Sequence, residues 1–170
     1  MTYDATTVVT PFGPFTVIAE EGCVVRSGFT DDPESLRDCL PEPGAEIRIR
    51  DDLGEISAAI RAYLSGADLR ALDRLPVRAA GSPAMQRLWA ELRHIPAGEV
   101  RSYAQLGGER RYARVAGAAC ARNPIPVIVP CHRVVRTDGS LGGFASDIGI
   151  KRWLLDHEGA VSQLALVATG

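Results

Sequence analysis

The sequence predicts an α/β chain of the α+β kind. A small N-terminal lobe of β-sheet and helix is followed by a mainly helical C-terminal lobe containing a helix-turn-helix. Three observations carry this reading. Runs rich in β-branched residues fill the first 50 positions, whereas helical spacing with recognisable caps dominates after residue 82. The charge also changes sign: residues 1–85 hold 8 basic and 14 acidic side chains, and residues 86–170 hold 11 and 7. Residues 67–80 show little periodicity and divide the chain into a structural β/α domain over 1–80 and a second domain over 81–170.

Thr6 to Thr10 and Phe15 to Ala19 read as strands joined by Pro11-Phe12-Gly13-Pro14, a turn that makes them a hairpin. Cys23 to Phe29 supplies a third strand, and Glu46 to Arg50 alternates as an edge strand does. From Leu53 to Ser65, Ile56, Ala59, Ile60, Tyr63 and Leu64 share a helix face, and Gly66 ends the helix. Ser82-Pro83 is an N-cap followed by a first helical residue, and Met85, Leu88, Trp89 and Leu92 form the apolar stripe of a helix that stops before Pro96-Ala97-Gly98.

Ser102-Tyr103-Ala104-Gln105 fits a capping box opening a short helix. After Gly107-Gly108, Tyr112 to Arg122 forms a second helix of unusually small residues, closed by Asn123-Pro124. Two short helices across a glycine turn make a helix-turn-helix candidate. The small side chains suit close approach to a groove or packing inside the fold. Ile125 to Val129 reads as an apolar, strand-like segment stopped by Pro130, and Ile148 to His157 as a helix capped by Asp147, ended by Gly159, with Ile150, Trp153 and Leu154 inward.

The strand-like segment delivers Cys131 directly beside His132. A thiol next to a proton acceptor or positive charge can be held as thiolate, the form that attacks carbon. A buried structural cysteine is the other reading. The four cysteines, Cys23, Cys39, Cys120 and Cys131, show neither a C-x-x-C pair nor zinc-finger spacing, so reduced thiols are expected and no metal site. Apolar content of 46% with 24% charged is ordinary for a globular chain. The N-terminus lacks signal-peptide features and no apolar run spans a bilayer, so a cytoplasmic protein without a membrane partner is expected.

Arg101, Arg110, Arg111, Arg114, Arg122, Arg133 and Arg136 are opposed within 101–136 only by Glu109. The segment suits a polyanion and encloses Cys131. A solvated basic face is the alternative.

The run Pro130-Cys131-His132-Arg133-Val134-Val135, preceded by Asn123-Pro124 and followed by Lys151 to Gly159, resembles the O6-alkylguanine-DNA alkyltransferases. Ile95 to Tyr103, Ala113 to Gly117 and Thr10 to Pro14 extend the likeness over nearly the whole chain, most strongly over 82–159. The resemblance implies a DNA-binding alkyltransferase domain over 81–170, acting as a monomer on double-stranded DNA that contains O6-alkylguanine, with no cofactor. The damaged base would be flipped out of the stack. Its alkyl group, and that of O4-alkylthymine, would pass irreversibly to Cys131. His132 would take the thiol proton through a water, Glu158 would support the imidazole, and Asn123 would hold the active-site turn. Tyr103 would donate to guanine N3. Arg114 would enter the stack on a recognition helix that also brings Ala113, Val115, Gly117 and Arg122 to DNA. Pro126, Val134, Phe144, Ala145 and Ser146 would line the pocket, with the carbonyls of Cys131 and Val134 accepting the guanine amine.

The chain departs from the family pattern where Ala145-Ser146-Asp147 replaces a serine or glycine followed by two glycines, and where Phe144 replaces the commoner tyrosine. Methyl transfer is expected to persist, with altered tolerance for bulky adducts. The link from Tyr103 to Arg114 is about three residues shorter than the family norm, which implies a tighter helix-turn-helix or a shorter first helix. Two other functions compete: a lesion-binding module without transfer, which in similar proteins lacks the acceptor cysteine, and a cysteine hydrolase, which needs turnover and an oxyanion hole.

Overall fold

The computed structural model describes residues 1–109, 112–144 and 146–169. The chain forms two compact units, Met1–Ala80 and Gly81–Gly170. The first carries a four-stranded sheet in the order β3-β2-β1-β4. β1 (Thr2–Thr10) and β2 (Gly13–Glu20) form the antiparallel hairpin, with Gly13 at φ 103° completing the turn. β3 (Cys23–Gly28) pairs with β2, and β4 (Glu46–Ile49) lies at the edge, parallel to β1. Tyr3, Ala5, Ile18, Val25, Leu36 and Leu40 pack into a core against the sheet. Leu36 comes from a 3-10 turn over Pro33–Cys39, which starts at Asp32, whose side chain accepts from Glu34 N–H, with Pro33 at its first position.

α1 (Glu55–Leu64) buries Ile56, Ser57, Ile60 and Tyr63. Residues 67–80 are more ordered than their lack of periodicity suggests. They hold a 3-10 turn over Ala71–Arg74, and Val77 bridges Val24 through backbone hydrogen bonds to both sides. The Val24–Val77 bridge joins residues 53 apart, and 3-10 turns are too short to show a helical period, so spacing announces neither.

In the second unit, α2 (Pro83–Leu92) starts at Ser82, whose side chain accepts from Met85 N–H, and buries Trp89 and Leu92. The Trp89 indole donates to Ala119 O at 2.8 Å, tying α2 to α4 (Ala113–Ala121). α3 (Tyr103–Leu106) is a single turn, opened by the capping box: Ser102 Oγ accepts from Gln105 N–H, and Gln105 Oε1 accepts from Ser102 N–H. The α3–α4 turn requires glycine, because a Cβ on Gly107 would meet Tyr112 backbone atoms at 2.9 Å.

The segment 125–129 is not a strand, a correction to the sequence reading. It folds as a tight turn in which Pro126 bridges Val129 and Val127 adopts φ 73°. The local strand pairing comes later: β5 (Arg101–Ser102) lies parallel to β6 (Val134–Val135). α5 (Ile148–His157) begins at Asp147, whose carboxylate accepts from Gly149 N–H. Asp147 sits at φ −73°, so the residue replacing a family glycine caps the helix without needing left-handed backbone. The buried face of α5 is Lys151, Leu154 and Leu155, whereas Ile150 and Trp153 are only partly buried. Trp153 instead stacks on His157 at 4.6 Å. α6 (Gln163–Thr169) packs Leu164 and Val167 against Val100, Val135, Leu155 and Ala160.

Candidate active site

The turn from Asn123 to Val135 is buried throughout, and Asn123 organises it. Its Nδ2 donates to Val129 O at 2.8 Å and its Oδ1 accepts from Ile125 N–H at 3.0 Å. These two bonds hold Val127 in a left-handed conformation that costs a β-branched residue about 1–3 kcal/mol. Pro130 then caps a 3-10 turn over Cys131–Arg133, which presents the thiol. The β5–β6 pairing couples this turn to Tyr103, since Val135 is opposite Ser102, the residue before it.

Cys131 is 3% exposed. Burial pushes its thiol up from 9.0, against a hydrogen bond from the Asn123 side chain and the Lys151 charge. The resting group is therefore a protonated thiol rather than the standing thiolate suggested by its histidine neighbour, and it must lose its proton as it reacts.

His132, Arg133 and Glu158 are all buried and form one network. Glu158 Oε1 lies 2.9 Å from His132 Nε2 and accepts from Arg133 Nη2 at 2.8 Å, while Oε2 accepts from Arg133 Nε at 2.9 Å. Arg133 Nη1 donates to Ile95 O at 2.6 Å. Burial opposes ionisation of Glu158, but the His132 and Arg133 contacts outweigh it and hold the carboxyl well below its usual range. Burial keeps His132 neutral, below 6.5, although Glu158 pulls the other way. A neutral ring facing a carboxylate through Nε2 carries its proton there. Nδ1 then keeps its lone pair, and it is buried without a hydrogen-bond partner among the described residues.

Arg133 thus corrects part of the basic-segment reading: it is an internal counter-ion, 1% exposed, not a surface cation. Arg101 pairs with Glu99 at 3.1 Å. Arg114, Arg122 and Arg136 are exposed, and their guanidiniums make no hydrogen bond or ion pair among the described residues. Arg110 and Arg111 lie outside those residues.

A cavity of about 320 Å³ opens at Cys131, lined among the described residues by Tyr103, Gly117, Cys120, Ala121, Gly143 and Phe144. Tyr103 is half-buried. Desolvation, with Cys120 and Cys131 adding to it, raises its hydroxyl to about 12, so it remains a proton donor. Pro126 and Val134 are buried in the active-site turn, and Ser146 is exposed; none of the three is among the described residues that line this cavity, and Ala145 lies outside the described residues. Of the α4 residues the resemblance implies for DNA contact, Arg114 and Val115 are exposed, Ala113 and Gly117 are half-buried, and Arg122 is exposed at the C-cap.

The sequence left Cys120 without an assigned role, as a thiol of the second helix able to face the active site, and gave Lys151 no site role. Cys120 lines the same cavity as Cys131, and burial raises its thiol to about 12. Lys151 is fully buried, donating to Val134 O at 2.6 Å and Gly143 O at 3.1 Å, with Nζ 5.9 Å from the Tyr103 ring centroid. Burial lowers its amine to about 8. Its bond to Val134 O uses one lone pair of a carbonyl the resemblance assigns to the guanine amine. The chain's one lysine, set in a helix between Ile150 and Arg152 and one turn before Leu154 and Leu155, is the available signal for Lys151. Among the described residues no cluster of His, Cys, Asp and Glu could hold a metal ion, and no helix is long and apolar enough to cross a membrane.

The family profile described as 6-O-methylguanine DNA methyltransferase, DNA binding domain, matches residues 83–160, the span from α2 through the Glu158 network. The methylated-DNA–protein-cysteine methyltransferase of Shigella flexneri is 36% identical over 160 residues, covering 89% of this chain and 93% of that protein. The chain belongs to the methylated-DNA–protein-cysteine methyltransferase family. The human family member is 35% identical over 130 residues, 71% of this chain and 62% of its own length. Among solved members, Mycobacterium tuberculosis OGT in complex with DNA superposes with a TM-score of 0.76 at 26% identity, covering 98% of this chain and 99% of that one. The α+β class expected from the sequence is thus the fold of the family.

Proposed function

We propose that this chain repairs DNA by direct reversal, transferring the alkyl group of O6-alkylguanine to Cys131 in a single irreversible turnover. O4-alkylthymine presents the same kind of alkyl–oxygen bond and is a second substrate of the same displacement. The observation that carries this reading is the buried chain of groups behind the thiol: an ionised Glu158 fixes the proton of a neutral His132 on Nε2 and leaves Nδ1 as a lone-pair acceptor.

In this mechanism the damaged base leaves the stack, because an in-line nucleophile cannot reach the alkyl carbon inside a duplex. The Cys131 proton passes through a water to His132 Nδ1. The sulfur attacks the alkyl carbon, an S–C bond forms, and the C–O6 bond breaks with its electron pair moving into the purine. Tyr103, protonated across the neutral range, donates to N3 and stabilises the departing guanine anion. The imidazolium that forms faces the Glu158 carboxylate, itself held by Arg133.

Residues 81–170 act as the DNA-binding alkyltransferase domain and residues 1–80 as its structural partner, one chain serving one lesion as a monomer in the cytoplasm. On DNA, Arg114 fills the gap left by the extruded base, and Ala113 and Gly117 let the α4 backbone approach closely. The thioether cannot be reversed by any group in the site, so the protein is consumed. Mixing the protein with a tenfold excess of duplex carrying O6-methylguanine tests this. Methyl uptake should stop at one equivalent per chain; continued conversion of lesion would refute a stoichiometric acceptor.

A further inference from the structure

We infer that Arg136 is a phosphate clamp for the lesion strand, gripping the phosphodiester that flanks the extruded nucleotide. The inference rests on the DNA-repair reading above and extends it to a residue outside the alkyl cavity. Beside that cavity lies an open groove of about 500 Å³, which shares Tyr103 and Gly117 with it. A strand feeding a base into the inner cavity therefore has its backbone in the outer groove. One wall is α4, with Ala113 and Arg114; the other is the turn after β6, with Arg136, Thr137 and Asp138.

Arg136 leaves this turn from a fixed point. Its N–H donates to Ser140 O at 2.9 Å and its carbonyl accepts from Gly139 N–H at 2.9 Å. A Cβ built on Gly142 would sit 3.5 Å from Arg136 Cγ and 3.2 Å from the Tyr103 hydroxyl, so the arginine stem and the phenol both flank Gly142 on the lining of the outer groove. The guanidinium is exposed and makes no hydrogen bond or ion pair among the described residues. The acidic group in the groove, Asp138, accepts from Ser140 N–H at 2.9 Å and Ser140 Oγ at 2.6 Å. Its carboxylate is held mainly by its own turn, with the Arg136 charge adding a weaker Coulombic attraction that a phosphate would have to outcompete.

A guanidinium presents two parallel N–H donors that match adjacent phosphate oxygens. Arg114, in the reading above, is spent filling the base stack. Arg133 is internal and Arg101 is paired, so among the described residues that line the groove Arg136 is the cation on the wall opposite α4.

The test is a cycle of binding measurements in a Cys131→Ala background, so that the lesion duplex is not consumed. Fluorescence anisotropy compares an O6-methylguanine duplex with one whose lesion-flanking phosphates are replaced by uncharged methylphosphonates. With Arg136 present the replacement should weaken binding about tenfold, and the slope of log affinity against log salt should fall by about 1. In Arg136→Gln the native duplex should already bind about tenfold more weakly, and the methylphosphonates should cost under about twofold more. Arg136→Lys, which keeps the charge, should retain most of the phosphate effect. An equal methylphosphonate penalty with Arg136 intact and in the Arg136→Gln variant would overturn the clamp while leaving the repair reading intact. Absence of salt-dependent binding to either duplex by the Cys131→Ala protein would overturn both.

Discussion

Glu158 is the residue on which the site's electrostatics turn. It holds two buried partners, and Arg133 contributes a full positive charge that this carboxylate neutralises through two side-chain contacts. Removing one member of a buried ion pair strands the other, at a cost of about 3–5 kcal/mol. Glu158→Gln should therefore lose stability on that scale in denaturant unfolding, far more than its loss of one imidazole contact implies. Because the native carboxyl is held below its unfolded value of about 4.3, its contribution is complete above that pH and drains away as pH falls toward the native value. The variant should show a flatter acid limb than the parent. His132 makes a kinetic prediction. Burial lowers its titration below 6.5, so the base stays unprotonated where an ordinary histidine would charge. The single-turnover transfer rate should stay level from about pH 8 down through 6.5 and decline only below it. A midpoint at 6.5 would mean that the imidazole is not desolvated as described.

The active-site turn shows how elements convert sequence into geometry. Asn123 makes two buried hydrogen bonds to backbone within six residues, and without them Val127 has little reason to remain left-handed. Asn123→Ala should cost about 2–3 kcal/mol in unfolding and slow transfer, whereas a change at exposed Arg87 should do neither. Local chemistry makes several elements legible in the sequence: the Ser82 cap, the Ser102–Gln105 capping box and the Asp147 cap all depend on partners within three residues. The misread elements depend on side chains whose bonding composition does not reveal, near or far. Ile125 to Val129 looks like a strand by composition, yet the Asn123 side chain closes it into a turn. The inward face of α5 cannot be read from apolar spacing, because Lys151 takes a core position by donating to carbonyls 17 and 8 residues away. Likewise Arg133 reads as one of a basic run until its anion, 25 residues on, is placed beside it.

Over the whole molecule, the charge asymmetry matters more than the net of −2. Arg114, Arg122 and Arg136, exposed and without an ion pair among the described residues, all belong to the 81–170 unit. Duplex binding should therefore weaken with salt even though the protein is acidic overall, with a slope near about −0.9 for each phosphate contacted, or roughly −2 for Arg122 and Arg136, Arg114 being taken up in the base stack. The family likeness, the buried thiol and the histidine–carboxylate pair together make the chain a reagent consumed by one alkyl group. Cys120 gives this claim a sharp internal competitor, since both thiols line one cavity and only Cys131 adjoins the imidazole. The most direct measurement is peptide-level mass spectrometry after incubation with duplex containing O6-methylguanine. One methyl group on Cys131, absent from the Cys131→Ala protein, is the predicted result; a methyl group on Cys120, or no methylated cysteine, would contradict it.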